Sequence, residues 1–569
     1  MPFNAPPRIG VLLDHIESDY HTEMLLGVLR GARQRRARTL IIPGGALPGP
    51  KDSRVTRNFI YDLVQAARLD GLVILAGSLA NYSGVDDFVS WLERFKPVPV
   101  VMVQLDLSPL PSVHVDNAFG VHAVVSHLIE VHHRQRIAFL RGPEASVEAE
   151  ARRLAYQKAL TDHDLRVDER LITPPGGFGR EAGTEGVQAL FDDRRLTPAM
   201  LDAIVGANDH TALGALEELG RRGISVPDQV AIAGFDDAPA ARSANPPLTT
   251  VNQMVELQGF SAARSLLDAL ESGGTPVSTA LEPSIVLRSS CGCVIPFRNS
   301  SRSVRAPAQS VARSCRLALI ERRAVITGAL LRVGGGRLAS MSGWDGRLVD
   351  SLTQELSDAV GGAFMREIER QARRSVALGS DVMVFHDVLT ALRLQTLSCA
   401  ASEPEVRPRL EDLFQEARHM LARTITDVER EQVSVDTYHL RLIAKACLQA
   451  LSRRSSVDLT NVLAEQLPAL RVLAYSISRF RGEAGVSAEL EVVARRAPGV
   501  WHHQITQVES ARLGLDQALE AEPALVVEPL EFGEVPVGLA VFAWGARSPL
   551  IYEQLRELLG PALHATAGS

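Results

Sequence analysis

Five polar side chains stand where binding chemistry is easiest to place. Asp14, Ser78, Gln104, Asn208 and Asp236 each lie at the end of an apolar run. Carboxylates accept hydrogen bonds, while amides and hydroxyls both donate and accept. Such a set suits the hydroxyls of a small polar ligand. One strand ending in Asp is ordinary, because Asp starts turns and caps helices. Five such ends together point to a polar cleft, against the alternative of five unrelated caps and turns. No nucleophile–base pair, metal-ligand set or cofactor cradle is legible, so no catalytic residue, metal or cofactor is assigned and an enzyme is not expected.

The runs that must position these residues are "RIGVLLD" (8–14), "TLIIPGG" (39–45), "DGLVILAGS" (70–78), "VPVVMVQLD" (98–106), "RIAFLRGP" (136–143), "AIVGAND" (203–209) and "VAIAGFDD" (230–237). Each is near-uniformly apolar, as strands covered on both faces must be, and amphipathic helical segments separate them. The pattern predicts an α/β architecture of doubly wound parallel sheets. In such sheets ligands bind beyond the carboxyl ends of the strands. "GFDDAPAARSANPPLTTVNQ" (234–253) then reads as a strand, a small-residue helical turn and a return strand, which is the edge of a pocket.

"VDNAFGVHAVVSHLIEVHHRQRIAFLRGP" (115–143), "ARRLAYQKAL" (151–160), "VGANDHTALGAL" (205–216) and "GFDDAPAARSANPPLTTV" (234–251) closely resemble the effector-binding core of lactose- and galactose-repressor-type (LacI/GalR) regulators. The resemblance covers roughly residues 8–290. It implies a two-lobed periplasmic-binding-protein-like fold with a cleft between α/β lobes and hinge crossings. By this resemblance Arg152 matches a cleft arginine, Asn208 the asparagine of the "AND" turn, and Asp236 the first aspartate after the glycine–aromatic pair. Arg152 would bring a rigid donor fork to the site. Three positions depart from the pattern: Gln104 replaces an acidic residue, Ala155 a glycine, and His132 stands where a glycine–histidine pair begins. A sugar- or nucleoside-like effector is the expected ligand, with a drifted pocket as the alternative.

Members of that family carry a helix-turn-helix before the core, whereas only the tail at 1–7 precedes Arg8, so no recognition helix is expected. His15, His21 and Tyr20 follow the first strand; the histidines read as cleft-lining or surface groups, a metal reading needing more convergent ligands. "PPGGFGRE" (174–181) and "RVGGGRLAS" (332–340) lack the Lys-Ser/Thr of a phosphate loop and read as loops. Residues 291–314 read as a linker. Its arginines, Arg298, Arg302, Arg305 and Arg313, with Arg316 just beyond, make it basic. Cys291-Gly292-Cys293 reads as a structural turn, since no second ligand pair lies nearby in sequence, with metal or redox chemistry of the two thiols as the alternative.

From 315 to 455 the periodicity is helical. One stripe carries Leu348, Leu352, Leu356, Val360 and Phe364; another carries Leu410, Leu413, Phe414, Ala417, Leu421, Ile425 and Val428. Bundle core is the reading, a dimer seam the alternative. From 456 to 569 strands return, in "RVLAYSISRFRG", "ELEVVAR", "ALVVEPLEF" and "VPVGLAVFAW", closed by "PLIYEQLRELLGPALHA". This small α+β region resembles a GAF-type sensory domain.

At 569 residues, 46% apolar and 22% charged, the chain is long enough for several cored domains. Its formal charge of −7 tilts against a constitutive nucleic-acid binder. Five scattered cysteines give no disulfide framework, and no secretory signal or membrane span is legible. The expectation is a cytoplasmic, homodimeric, ligand-binding sensor that signals to a protein partner in transcriptional or signal-transduction control. The alternative is a regulator touching DNA directly through the linker or C-terminal half.

Overall fold

A computed structural model describes most of residues 5–565. Outside it lie 1–4, 48–52, 294–312, 454–456, 482–487, 566–569, positions 534 and 547, and short stretches within 336–340, 357–361, 378–383, 401–405 and 498–506. The chain divides into two compact units, residues 1–297 with 439–569, and residues 298–438.

The first unit begins with β1 (Arg8–Leu13), α1 (Asp19–Gln34), β2 (Arg38–Pro43), β3 (Gly71–Leu75), β4 (Val100–Val103) and β5 (Ser112–Val115). The first four strands fall in the apolar runs read from sequence. Both faces of the sheet are buried, so side-chain alternation within one strand feeds two cores. Ile9, Val11 and Leu13 of β1 enter one cluster and Leu12 the other. These strands form the first lobe.

The second lobe follows with α2 (Asn117–Glu130), β6 (Ile137–Leu140), α3 (Val147–Asp162), α4 (Arg180–Gln188), β7 (Ala203–Gly206), α5 (Asp209–Arg221), β8 (Ala231–Ala233) and β9 (Thr250–Asn252). β6, β7 and β8 pair in parallel in that order. Here too Phe139 and Val205 face one core while Ala138 and Ile204 face the other.

The chain then returns to the first lobe through α6 (Val255–Ser272) and β10 (Thr279–Leu281), and reaches the second again with β11 (Ser284–Val286), antiparallel to β9. α6 packs on α1 at glycine distance. A Cβ on Gly27 would lie 2.0 Å from the Glu256 carbonyl oxygen, and one on Gly259 would lie 2.2 Å from that of Met24. The lobes are joined at three crossings, near 115–117, 252–255 and 281–284. These run side by side: Val115 pairs with Leu281, the Asp116 N–H donates to the Leu281 carbonyl at 3.1 Å, and Ser284 pairs with Asn252.

The second unit is helical, with α7 (Arg313–Glu321), α8 (Arg323–Gly334), α9 (Trp344–Glu355), α10 (Ala363–Ala377), α11 (Val384–Cys399) and most of α12 (Val406–Arg453). The stripe expected on one helix from 348 to 364 belongs to two. α9 ends at Glu355 and α10 starts at Ala363, after Gly362 at φ +90°; Val360 lies outside the described residues. Leu348, Leu352, Leu356 and Phe364 still share one core with Leu410, Phe414, Ala417, Leu421 and Ile425, and Leu413 packs against it. Nothing is described of the Val428 side chain. The apolar stripes thus face each other within the unit.

After α13 (Val457–Gln466) come β12 (Tyr475–Arg481), β13 (Glu489–Ala497), β14 (Val500–His502), β15 (Gln507–Ser510), α14 (Ala511–Ala521), β16 (Ala524–Phe532), β17 (Val535–Ala543) and α15 (Leu550–Ala565). These strands do not stand apart. β16 pairs in parallel with β2, Ala524 opposite Thr39 and Val526 opposite Ile41. One sheet therefore runs β10-β5-β4-β3-β1-β2-β16-β17-β12-β13-β14, with β15 on β13. It is parallel up to β16 and antiparallel beyond. Both cores cross the junction: Val526 and Leu530 join the cluster of Val11, and Leu525 and Val527 that of Leu12. Arg57 of the first lobe completes the joint, 3.5 Å from Glu531 and 3.3 Å from Glu553.

Candidate ligand cleft between the lobes

In the first lobe the strand order β2-β1-β3-β4-β5 puts a change of direction beside β1, where the carboxyl ends of neighbouring strands splay. Asp14, Ser78 and Gln104 lie just past the ends of β1, β3 and β4, so one edge of the sheet presents all three. In the second lobe Asn208 and Asp236 lie past β7 and β8, and Arg152 projects from α3.

Arg152 is the centre of the second-lobe face. Its Nε donates to Asn117 Oδ1 at 2.7 Å and one terminal nitrogen donates to the Ala207 carbonyl at 2.8 Å. Its guanidinium stacks on Phe235 with 4.0 Å to the ring centroid, a cation–π geometry. It also lies 3.7 Å from Glu148 and 3.9 Å from Asp236. Asp236 holds an unusual backbone, at φ +129°, and accepts from Gln253 Nε2 at 2.6 Å. Gln253 belongs to a lobe crossing, so this carboxylate is tied to the hinge. Burial, with Asp209 and Glu148 nearby, pushes Asp236 well above the usual carboxylate range in spite of Arg152. Burial raises Glu148 as well, against the pull of Arg152 and the hydrogen bond from Asn117.

The first-lobe face closes on this cluster. The amide of Gln104, itself at φ +79°, donates to the Tyr20 hydroxyl. Burial and the charges of Glu148 and Asp236 push the Tyr20 hydroxyl well above its normal value. Gly77 permits the approach: a Cβ there would lie 2.5 Å from Glu148 Oε2 and 2.8 Å from Gln104 Oε1. A small crevice lies beside this cluster, lined by Gly77, Leu105, Ser146 and Glu148 among others.

The remaining two residues sit differently. Asp14 is buried between His15 Nδ1 at 2.8 Å and His21 Nε2 at 3.0 Å. Burial alone would raise its carboxyl, but the two histidines outweigh that and hold it well below the ordinary range. His21 is pushed down by burial and by His15, against Asp14. This triad is one ring removed from the crevice, with 5.6 Å between the His21 and Tyr20 centroids. Asn208 caps α5, its Oδ1 accepting from the Thr211 N–H at 2.9 Å while its amide donates to the Phe178 carbonyl at 3.0 Å. Ser78 is buried and donates to the Leu75 carbonyl at 3.2 Å.

Gln104, Arg152 and Asp236 are therefore brought together, Ser78 borders them through Gly77, Asp14 stands behind Tyr20, and Asn208 is occupied as a cap. Sequence reading passed over Tyr20 as a site member, and over Glu148, Asn117 and Gln253 altogether. Glu148 had a signal: it precedes Arg152 by four residues on one helix face. Of the basic linker, Arg298, Arg302 and Arg305 lie outside the described residues. Among the described residues no helix is long and apolar enough to cross a membrane.

The family described as "Periplasmic binding protein-like domain" matches residues 125–291. The HTH-type transcriptional regulator CelR of Thermobifida fusca is 36% identical over 179 residues, 31% of this chain and 51% of CelR. The HTH-type transcriptional repressor CytR of Escherichia coli is 32% identical over 213 residues, 37% of this chain and 59% of CytR. The chain thus spans between half and three fifths of the length of these curated relatives. Among solved structures, the transcriptional regulator CelR–cellobiose complex aligns with a TM-score of 0.43 and 28% identity, covering 51% of this chain and 86% of that one. Residues 125–291 thus match the periplasmic binding protein-like family, and about a third of the chain is similar to the effector-binding core of LacI/GalR-type transcriptional regulators.

Proposed function

We propose that this chain is a ligand-responsive regulator whose interlobe cleft takes a small, hydroxyl-rich effector of sugar or nucleoside type. The observation that carries the reading is the Glu148–Arg152–Asp236 cluster facing Tyr20 and Gln104 across the crevice. Carboxylates that accept, a guanidinium fork that donates and a phenol that does both match the alternating polarity of vicinal hydroxyls, while Phe235 offers an apolar face. A ligand that binds the closed lobes better than the open ones shifts the population toward closure by its differential affinity.

The output would pass through the C-terminal α+β module, which we read as a GAF-like sensory domain. Its support as a relay is the β2–β16 pairing, which makes it one sheet with the first lobe. A protein partner would read that module, and a homodimer is the expected assembly.

The test uses the full chain. Thermal unfolding and calorimetric titration are run against a panel of sugars, sugar phosphates, nucleosides and purines, with Asp236→Asn alongside. Ligand at about a hundred times its dissociation constant stabilises the folded form by roughly 2.7 kcal/mol. A hit whose affinity drops at least about tenfold in Asp236→Asn, the cost of one charge-assisted hydrogen bond, supports the assignment. A hit with unchanged affinity in the variant places the ligand elsewhere.

A further inference from the structure

The Cys-Gly-Cys turn acquires two partners that lie some 160 residues earlier in the chain. His127 occupies the last turn of α2 and His132 follows just beyond it, before His133 reverses the chain at φ +52°. Cys291 closes a short 3-10 turn, Ser289–Cys291, after which Gly292 takes φ +109° and brings Cys293 back toward the same helix end. Glycine is needed twice over at 292, because a Cβ would also lie 3.0 Å from His132 Nδ1.

The four ligand atoms then face one common point, all within 4.8 Å of one another. Cys293 Sγ is 3.4 Å from His127 Nε2 and 3.4 Å from His132 Nε2, and Cys291 Sγ is 3.6 Å from His127 Nε2. A tetrahedral ion with metal–sulfur bonds of about 2.3 Å and metal–nitrogen bonds of about 2.0–2.1 Å has sulfur–nitrogen edges of about 3.6 Å. The three measured edges match that figure. Ordinary hydrogen bonding accounts for them less well: His127 Nε2 carries one in-plane lone pair or one proton, yet it faces two sulfurs.

The turn is also built to hold this geometry. The Ser290 N–H donates to the Pro247 carbonyl at 3.0 Å, and the Ser290 hydroxyl donates to Ile232 of β8 at 2.6 Å and accepts from the Thr249 N–H at 2.8 Å. The Thr249 hydroxyl lies 3.1 Å from Cys291 Sγ, the outer contact expected beside a metal-bound thiolate. Cys291 is buried and the other three ligands are half-buried.

We propose that His127, His132, Cys291 and Cys293 form a structural zinc site that pins the exit of the ligand-binding domain to the end of α2. Tetrahedral S₂N₂ donors select zinc over hard cations, and four protein ligands leave no open position for catalysis. The ion fastens residues 291–293, the last ones described before the linker, onto the second lobe. The linker would therefore leave from a fixed point on the lobe that moves when the cleft opens.

The full chain is purified from zinc-supplemented cells without chelator, and its metal is identified and counted by inductively coupled plasma mass spectrometry. Wild type should carry about one zinc per chain, and Cys293→Ser and His132→Ala less than about a tenth of one. His163→Ala, a half-exposed histidine outside the cluster, should keep its zinc. Cobalt(II) loaded into the zinc-free chain should show the strong visible bands of a tetrahedral ion with a thiolate charge-transfer band. Zinc-free wild type that gives only an octahedral cobalt spectrum overturns the proposal. So does zinc retained equally by Cys293→Ser and His132→Ala.

Discussion

Replacing Arg152 by alanine should be among the most damaging single changes in the cleft, and its cost should depend on pH in a defined direction. The guanidinium is the cation beside two buried carboxylates, Glu148 at 3.7 Å and Asp236 at 3.9 Å. Removing one partner of a buried ionic group costs about 3–5 kcal/mol, because the other charge is left uncompensated. Asn117 Oδ1 and the Ala207 carbonyl also lose donors at 2.7 and 2.8 Å, about 1 kcal/mol each if no water replaces them. The sign follows from the carboxyls. Both are already raised in the folded protein, and without Arg152 they rise further. A carboxyl whose folded pKa lies above its unfolded one favours the fold most below the unfolded value, and that advantage is lost as pH rises toward the folded value. The deficit of Arg152→Ala should thus be smaller at pH 5 than at pH 8. Urea unfolding of the full chain at both pH values, followed by tryptophan fluorescence, measures it. A deficit below about 1 kcal/mol that does not change with pH would refute the arrangement described for the cleft. Arg152→Lys keeps the charge but loses the fork and the stacking on Phe235, and should fall between the two.

Glu528 is fully buried in β16, 3.7 Å from Arg556, and burial with Glu553 nearby raises its carboxyl well above the ordinary range. Glu528→Gln should therefore stabilise the chain at pH 8 relative to pH 5, where the wild-type group is closer to neutral; equal effects at both would contradict the burial. Gly27→Ala drives a Cβ to 2.0 Å from the Glu256 carbonyl oxygen, so α1 and α6 must separate, at a cost of about 1–3 kcal/mol or more in urea unfolding. A loss below about 0.5 kcal/mol would mean the helices are not so closely packed. A fragment ending at residue 296 bares the β2 edge and strips both first-lobe cores of their C-terminal side chains. It should associate or aggregate on light scattering where the full chain does not; a monodisperse fragment with the full chain's melting point would show that the shared sheet is dispensable.

The seven apolar runs of the first half could be read as strands because each is buried on both faces and carries its own signal. β9 is the return strand read at the end of 234–253, whereas β5, β10 and β11 carry no such signal: they lie outside continuous apolar runs, β10 and β11 are only partly buried, and β5 includes His114. The strand-end rule puts Gln104 and Asp236 on the facing edges of the two lobes, since parallel strands place their carboxyl ends on one edge. It does not separate a ligand-facing side chain from a cap, and Asn208 also holds the first turn of α5. Tyr20 and Glu148 needed knowledge of which loop faces which across the cleft. The Cys-Gly-Cys turn was legible as two thiols, but its histidines are neighbours only in space. The pairing of Thr39 with Ala524 left no trace in local sequence, because the apolar pattern of β16 suits an edge strand of its own module equally well.

That pairing bears on the order in which the protein can be made. The first lobe's sheet meets β16 nearly five hundred residues after β2, and at the usual 5–20 residues per second a ribosome takes roughly 25–100 s to cover that distance. Throughout that interval β2 presents unpaired backbone and the apolar side chains of two unfinished cores. A stop codon between residues 294 and 524 would thus release a chain that has completed both lobes of the cleft but not its sheet, with the β2 edge bare.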